Sequence, residues 1–409
     1  MAAAVGLGTA GLTAVADSAT ALAAATLGNV EPFFGPHQGG ILTPRQDHLC
    51  FAAFDLVTED RRQVSDMLRA WTEAAWRMST GETARPLSQD STASGGDSGE
   101  AIGLPAARLT MTFGFGAQLF VKDGADRFGL ARQRPEALVE LPHFTGEQLR
   151  PEWTGGDLSV QACADDPQVA FHSVRQLASI GGGVIALRWA QPGFVRYTES
   201  GGTPRNLLGF KDGTDNPRRD SDAVMNRYIW VGTEGPAWMK GGSYVVVRRI
   251  RLALGDWDRL PVGAQEQVIG RHKYSGAPLG RRNEFDPLDL LANNADGTPT
   301  IPHASHVRLA ARASYEGDPI LRRPYSYIDG AGRAFERTAG SQPSEYDAGL
   351  LFIAYQRDPR TAFIPIFTEL SAKDAMNRFA THVGSAVFAC PPGTEPGRFI
   401  GQSLFSAAT

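Results

Sequence analysis

Residues 241–254 read GGSYVVVRRIRLAL, and this stretch decides the class of fold. Its run of β-branched residues predicts a strand, and residues 256–271, DWDRLPVGAQEQVIGR, predict a helix directly after it. The first half of the chain has the same order. Residues 35–57, GPHQGGILTPRQDHLCFAAFDLV, lead from a turn-rich start into an apolar strand, and residues 65–79, SDMLRAWTEAAWRMS, have helical spacing. The helical spacing places four side chains on one side of this helix: Leu68, Trp71, Ala75 and Trp76.

Further segments fit the same plan. Residues 108–116, 349–356 and 385–393 are apolar and read as strands, whereas residues 371–383, SAKDAMNRFATHV, read as a helix. Residues 85–106 are rich in Ser, Gly and Asp without periodicity, which predicts a loop. Two halves that each mix strands and helices, without strict alternation, predict a duplicated α+β fold.

We place the boundary between the halves in the Gly- and Pro-rich segment near residues 200–215. The predicted organisation is a tail over residues 1–30, an N-terminal half over 31–205 and a C-terminal half over 206–409. A chain of 409 residues has room for two ordinary cores, since single cores stop growing near ~250–300 residues.

Charge and cysteine content narrow the class of protein. The formal net charge of −4, without a long basic run, gives no electrostatic footprint for nucleic acid, so we expect no nucleic-acid partner. The three cysteines are too few and too scattered for a disulfide framework or a Cys-x-x-Cys zinc site.

The N-terminal run MAAAVGLGTAGLTAVADSATALAAATLG resembles the apolar region and cleavage site of an export signal, and a flexible tail is the alternative. We expect an exported protein, in the extracellular space, periplasm or cell envelope. The weakly apolar run is typical of the twin-arginine route, although the chain shows no arginine pair there. No run elsewhere approaches the length of a membrane span, so we expect no stable span in the mature protein.

Candidate chemistry lies in the second half. His303 and His306 are three residues apart without an acid between them, which excludes the H-E-x-x-H zinc pattern but leaves a neutral imidazole as an iron ligand. Arg322 and Arg323 follow in an aromatic, strand-like stretch, either as a solvated pair or as a buried charge for a developing anion. Residues 209–217, GFKDGTDNP, read as a turn whose acids lack the spacing of an EF-hand loop.

These segments carry a resemblance. GFKDGTDNP looks like the G-x-x-D-G signature of the dye-decolourising peroxidases, and six further segments occur in the family's order. They are GPHQGGILTPRQ, IGRHKYSGAPLG, SHVRLA, LRRPYSY, AGLLFIAYQRDP and HVGSAVFACPPG. The match is most similar to the exported bacterial branch that includes deferrochelatases. It implies two ferredoxin-like halves that form a barrel-like α+β haem peroxidase with haem b as its cofactor.

The resemblance also implies roles for individual residues. Asp212 would be the distal acid, Arg322 the distal arginine and His306 the proximal iron ligand, with Asp374 accepting the N–H of the His306 imidazole. Leu350 and Phe352 would line the distal pocket. By the same resemblance Gly213, Thr214 and Asp215 would contact the haem, and by their charge Arg308 and Arg312 are candidates to bind its propionates.

The implied reaction is reduction of hydrogen peroxide at the expense of dyes, phenols or other one-electron donors. It needs a base that moves a proton and a cation that stabilises the departing oxygen. Since Asp212 must be ionised to act as the base, and carboxylates ionise above about pH 4, an acidic optimum is expected. Tyr325, Tyr327 and Tyr355 are candidate electron relays, and packed tyrosines in strands are the alternative.

Other functions stay open at this point. The second hypothesis is a haem-handling protein in iron uptake, which releases iron from haem or carries haem, and which works with an iron-uptake or redox partner protein. A pure carrier has no need of an acid and an arginine above the iron. A chlorite-dismutase-like protein is a third reading, but that group lacks the aspartate of the signature.

Overall fold

The computed structural model describes residues 30–92, 95–197, 202–311, 317–331 and 346–406. The strands of this part of the chain are β1 (His48–Leu56), β2 (Thr110–Gly116), β3 (Leu158–Ala164), β4 (Ile185–Phe194), β5 (Ser243–Leu252), β6 (Leu321–Arg322), β7 (Tyr325–Ala331), β8 (Tyr346–Gln356) and β9 (Ala380–Cys390). The α-helices are α1 (Arg61–Ser79), α2 (Ala117–Phe120), α3 (Pro167–Ile180), α4 (Asp222–Tyr228), α5 (Leu254–Asp258), α6 (Val262–Ile269), α7 (His306–Ala310), α8 (Phe363–Lys373) and α9 (Gln402–Ser406). Short 3₁₀ helices span Ala131–Gln133, Pro151–Trp153, Ala237–Met239 and Ala375–Arg378.

The two halves repeat one topology. In the first half β1, α1, β2, β3, α3 and β4 follow one another, and in the second half β5, the α5–α6 pair, β7, β8, α8 and β9 do the same. The spatial order is β2-β3-β1-β4 in the first half and β7-β8-β5-β9 in the second, with all strands antiparallel. This is the ferredoxin-like arrangement, so the predicted duplicated α+β fold is confirmed.

The two sheets close into one barrel. β2 pairs with β9 through Phe115 and Gly116, and β4 pairs with β7 through Phe194. Gly116 is required at the first junction, since a Cβ there would lie 2.0 Å from the Gly156 carbonyl oxygen. The buried side chains of one large cluster, among them Phe51, Leu351 and Ile353, form the inner core of this barrel.

Helices cover the outer faces of the barrel. The α1 helix begins after Asp60, whose carboxylate accepts a hydrogen bond from the Arg62 N–H, and it buries Leu68, Trp71 and Ala75 as predicted. Trp76 is 41% exposed and lies beside Phe34, so its place on the buried side was wrong. Among the described residues, no helix combines the length and apolarity needed to cross a membrane.

Two predicted helices differ from the structure. The helix expected over residues 256–271 is divided into α5 and α6, because Pro261 cannot continue the first helix and instead precedes the second. The helix expected over residues 371–383 is mostly wrong. The α8 helix ends at Lys373, Asp374 accepts a hydrogen bond from the Met376 N–H, and β9 begins at Ala380. This interruption is what positions the Asp374 carboxylate.

Candidate active site

The turn at residues 209–217 presents Asp212 and is held by its own backbone. Gly209 and Gly213 have φ angles of +83° and +128°, in the region that favours glycine, and the Asp212 N–H donates to the Pro204 carbonyl at 2.9 Å. The Asp212 Oδ1 atom lies 3.2 Å from Arg322 Nη1, and its Oδ2 atom lies 3.5 Å from Asn206 Nδ2. The turn therefore supplies a carboxylate paired with the predicted arginine.

Arg322 is the outward-facing residue of β6. Its neighbour Leu321 belongs to the inner core of the barrel and Arg323 is completely buried, as the alternation of a strand requires. The Arg322 Nη2 atom donates to the Asp215 carbonyl at 3.3 Å, and Asn216 bonds to the Arg322 backbone. Arg322 is thus tied to the turn through both its side chain and its main chain.

His306 and Asp374 form a second pair. His306 begins α7, and its Nδ1 atom lies 2.6 Å from the Asp374 Oδ2 atom. Burial lowers the pKa of the His306 imidazole, but the charge of Asp374 and its hydrogen bond outweigh this effect, so the pKa is raised above its usual value. Because Nδ1 donates to the carboxylate, Nε2 is the nitrogen left to bind a metal.

The two pairs lie close to one another. The charges of Arg322 and Asp212 act on the His306 ring, although its hydrogen bond goes to Asp374. The His306 side chain is 38% accessible, so packing leaves part of the imidazole free for a ligand.

Leu350 and Phe352, the apolar residues expected to line the distal pocket, lie on the same face of β8. Leu350 and Phe352 are two residues apart on β8, and both are half-buried. The alternate residues Leu351 and Ile353 are fully buried inside the barrel. Leu350 lines a cavity together with Asp212, and Phe352 packs against Phe363 of α8. An imidazole whose Nε2 is left to bind a metal, a neighbouring carboxylate–arginine pair and an apolar residue in the Asp212 cavity fit a haem.

The other residues implied by the resemblance have these places. Arg308 lies on α7 and donates through Nε to the Ile301 carbonyl at 2.9 Å. Thr214 donates through its hydroxyl to Glu284 at 2.9 Å, and Asp215 contributes its carbonyl to Arg322. Arg312 lies outside the described residues.

Sequence reasoning missed three residues that hold the turn. Glu284 is buried, forms an ion pair with Lys211 and accepts the Thr214 hydroxyl, which explains the lysine in the turn. Asn206 and Asn216 bind the Asp212 side chain and the Arg322 backbone. Only Asn216 had a signal, since it belongs to the quoted signature.

The candidate relay tyrosines are interior residues. Tyr325, Tyr327 and Tyr355 are each at most 1% exposed, so none of them offers a contact surface to a bulky donor. The Tyr355 hydroxyl donates to Gln161, while the Tyr325 and Tyr327 hydroxyls are buried without a hydrogen-bond partner in the described residues.

A closed α+β barrel that carries a histidine–carboxylate pair close to an arginine–carboxylate pair is the arrangement expected of a haem peroxidase. The family models described as "Dyp-type peroxidase, N-terminal" and "Dyp-type peroxidase, C-terminal" match residues 38–195 and 203–395. The chain belongs to the Dyp-type peroxidase family, and it is an enzyme that uses haem to reduce hydrogen peroxide at the expense of a reductant.

Relatives and solved structures agree with this assignment. The chain is 40% identical to a "Dye-decolorizing peroxidase" of Thermobifida fusca over 382 residues, which cover 90% of this chain and 83% of the relative. It is 34% identical to a "Deferrochelatase" of Shigella sonnei over 384 residues, 91% of this chain and 87% of the relative. The DyP-type peroxidase of Streptomyces coelicolor superimposes with a TM-score of 0.84 at 39% identity, over 93% of this chain and 99% of that one. Ferric DtpA of Streptomyces lividans superimposes with a TM-score of 0.83 at 38% identity and the same coverage.

Proposed function

We propose that Asp212 and Arg322 are the catalytic residues of this peroxidase, that His306 binds the haem iron, and that Asp374 is the positioning residue of His306. The observation that carries the proposal is the contact of 3.2 Å between Asp212 and Arg322, opposite a histidine whose Nδ1 is bound by Asp374 at 2.6 Å. A haem held there supplies the redox-active iron and the site at which peroxide binds.

Asp212 acts on the proton of the peroxide. Its ionised carboxylate accepts the proton from one peroxide oxygen and returns it to the other, so that the departing oxygen leaves as water. Arg322 stabilises the negative charge that develops on the departing oxygen. Asn206, at 3.5 Å from the second carboxylate oxygen, orients Asp212 for this transfer.

His306 and Asp374 would together hold the haem iron. The hydrogen bond between them fixes the Nδ1–H tautomer and makes Nε2 a more basic ligand, which disfavours the reduced iron. The proposed haem contacts of the turn are Gly213, Thr214 and Asp215. The proposed partners of the haem propionates are Arg308 and Arg312. Leu350 and Phe352 restrict the distal space to small molecules.

Dyes, phenols or other one-electron donors are the proposed reductants, in line with the name of the Thermobifida fusca relative. A bulky donor is too large for a pocket walled by Leu350 and Phe352, so electrons reach the haem through the protein. Tyr325, Tyr327 and Tyr355 remain candidates for interior steps of that transfer, since all three are buried.

The alternative function is release of iron from haem with the porphyrin left intact. It is supported by the 34% identity to a relative named deferrochelatase over 91% of this chain. For either function we propose an exported protein, with residues 1–30 as its signal and the twin-arginine route as its path. An iron-uptake or redox partner protein belongs to the alternative.

One experiment separates these functions. The haem-loaded protein is mixed with hydrogen peroxide and a dye at about pH 4.5, and in a parallel reaction with a reductant and an iron chelator. Dye turnover that is lost in Asp212→Ala and Arg322→Ala, with the haem spectrum retained, supports the peroxidase roles. Metal-free porphyrin as the main product, formed equally by both variants, would overturn them in favour of iron release.

A further inference from the structure

Three arginine side chains meet at one end of the barrel, behind the active-site arginine. Arg219 Nη1 and Arg323 Nη1 both donate to the carbonyl of Thr43, at 3.5 Å and 2.5 Å, so their guanidinium groups are close neighbours. Arg45 Nη1 donates to the carbonyl of Pro324 at 2.6 Å. We call Arg45, Arg219 and Arg323 the arginine cluster.

The arginine cluster has no negative partner in the described part of the chain. Its acceptors are the carbonyls of Thr43 and Pro324, the Tyr197 hydroxyl and the Gln46 amide oxygen, all uncharged. Arg323 is completely buried, and its Nε–H has no hydrogen-bond partner there. The buried Arg248 and Arg249, by contrast, each form an ion pair with a carboxylate, Glu147 and Asp329 respectively.

Three neighbouring cations without an anion are unfavourable in a protein interior. Burial lowers the pKa of Arg219 to about 10, and the positive charges of Arg323 and Arg45 add to this effect. The aromatic rings of Tyr197 and Tyr325 lie 5.5 Å and 5.8 Å from the Arg45 guanidinium carbon, which compensates only part of the charge. The three guanidinium groups therefore carry positive charge that no carboxylate of the described residues balances.

The cluster is not fully enclosed by protein. Arg45 lines the cavity that also contains Asp212, Asn206, Arg205 and Leu350, and Arg219 is half-buried. A planar guanidinium donates two parallel hydrogen bonds to a carboxylate, phosphate or sulfate, which matches small oxyanions in geometry as well as in charge.

We propose that the arginine cluster binds one small oxyanion, either inorganic phosphate or sulfate or the carboxylate of a small organic acid. The site adjoins the Asp212 cavity, but its anion binding is independent of the roles proposed for Asp212 and Arg322. Failure of those roles would leave this inference intact.

The first test locates the anion. Crystals of the haem-loaded protein are soaked in sodium selenate, and anomalous diffraction is measured at the selenium edge. A peak within hydrogen-bond distance of Arg219 and Arg45 supports the proposal, and no selenium at the cluster overturns it. This test needs no variant and so does not depend on the folding of one.

The second test measures affinity. The haem-loaded protein is titrated calorimetrically with sodium phosphate and separately with sodium acetate, which distinguishes inorganic oxyanions from carboxylates. Arg219→Gln should weaken binding about tenfold to hundredfold, as loss of a charged hydrogen-bond donor does. Arg218→Gln is the matched control, since Arg218 is 79% exposed and paired with Asp220.

The Soret band is followed in the same titrations. Binding at the arginine cluster leaves the Soret band unchanged, because the cluster does not contact the iron ligand. Equal affinity in Arg219→Gln and in the parent protein, or binding accompanied by a Soret shift, contradicts the proposal.

Discussion

The side-chain amide of Asn216 satisfies both backbone groups of Arg322. Its Nδ2 atom donates to the Arg322 carbonyl at 2.9 Å, and its Oδ1 atom accepts from the Arg322 N–H at 3.1 Å. Asn216 thereby makes the two backbone hydrogen bonds that a neighbouring strand would otherwise make with Arg322 of the short β6. The turn that carries Asp212 and the strand that carries Arg322 are held as one unit.

Replacement of Asn216 should therefore impair catalysis without loss of haem. We expect Asn216→Ala to lower kcat/KM for hydrogen peroxide about tenfold to hundredfold, because Arg322 loses its fixed position. The Soret band should stay as in the parent protein. Asn294→Ala, at an exposed loop residue bonded to Thr298, is the control, and equal activity of the two variants would contradict the positioning role.

The pair of Asp212 and Arg322 should act as a unit. We expect Arg322→Ala to lower kcat/KM for hydrogen peroxide about 10²–10³-fold and Asp212→Ala about 10²–10⁴-fold, since each removes charge stabilisation or proton transfer. The double variant should be little worse than the more impaired single variant. Additive losses in the steady-state rates would show that the two residues act separately.

His306 and Asp374 should determine haem binding and the reduction potential of the iron, and should not take part in proton transfer from the peroxide. We expect His306→Ala to lose or displace the Soret band, and Asp374→Asn to keep haem but raise the Fe³⁺/Fe²⁺ potential, because the imidazole becomes a weaker donor. A spectroelectrochemical titration measures the potential. Glu369→Gln, which breaks an exposed pair with Lys373 on α8, should leave the potential unchanged.

Glu284 should stabilise the turn at residues 209–217 even at acidic pH. Burial raises the pKa of its carboxyl, but hydrogen bonds from Lys211 and Thr214 outweigh burial, and the pKa is lowered below its usual value. A lowered folded-state pKa contributes stability that is complete above the unfolded-state pKa and is lost as the pH falls through the folded-state value.

We therefore expect Glu284→Gln to reduce the free energy of unfolding by about 1.5–3 kcal/mol at pH 7, as loss of a charged hydrogen bond does. The difference from the parent protein should persist to about pH 4.5 and shrink at lower pH. Denaturant unfolding at several pH values measures it. A difference that stays constant down to pH 2 would exclude titration of Glu284 as its source.

Much of the fold could be predicted from local patterns. The β-branched run at Ser243–Leu252 specifies a strand, and apolar residues three or four positions apart specify the α1 helix. The closure of the barrel could not be predicted in this way, because the junction of Phe115 with Ala389 joins distant parts of the chain. The end of α8 was missed because Asp374 bonds both to the next turn and to His306.

The candidate site could likewise be predicted only in part from the sequence. Asp212, Arg322, His306 and Asp374 came from a resemblance, and the structure brings them together as two pairs. Glu284 lies in a loop without periodicity or motif, so nothing in the sequence connects it with Lys211. Arg312 lies outside the described residues, and its propionate role stays a prediction.

The two pairs are interleaved along the chain. Asp212 and Arg322 are 110 residues apart, His306 and Asp374 are 68 apart, and His306 falls between the members of the first pair. Such non-local contacts form slowly, since long loops must close first. Because the chain is synthesised from its N-terminus, the first pair can form only after Arg322 has been made, and the second only after Asp374. Capture of haem is therefore a late event that follows synthesis of nearly the whole C-terminal half.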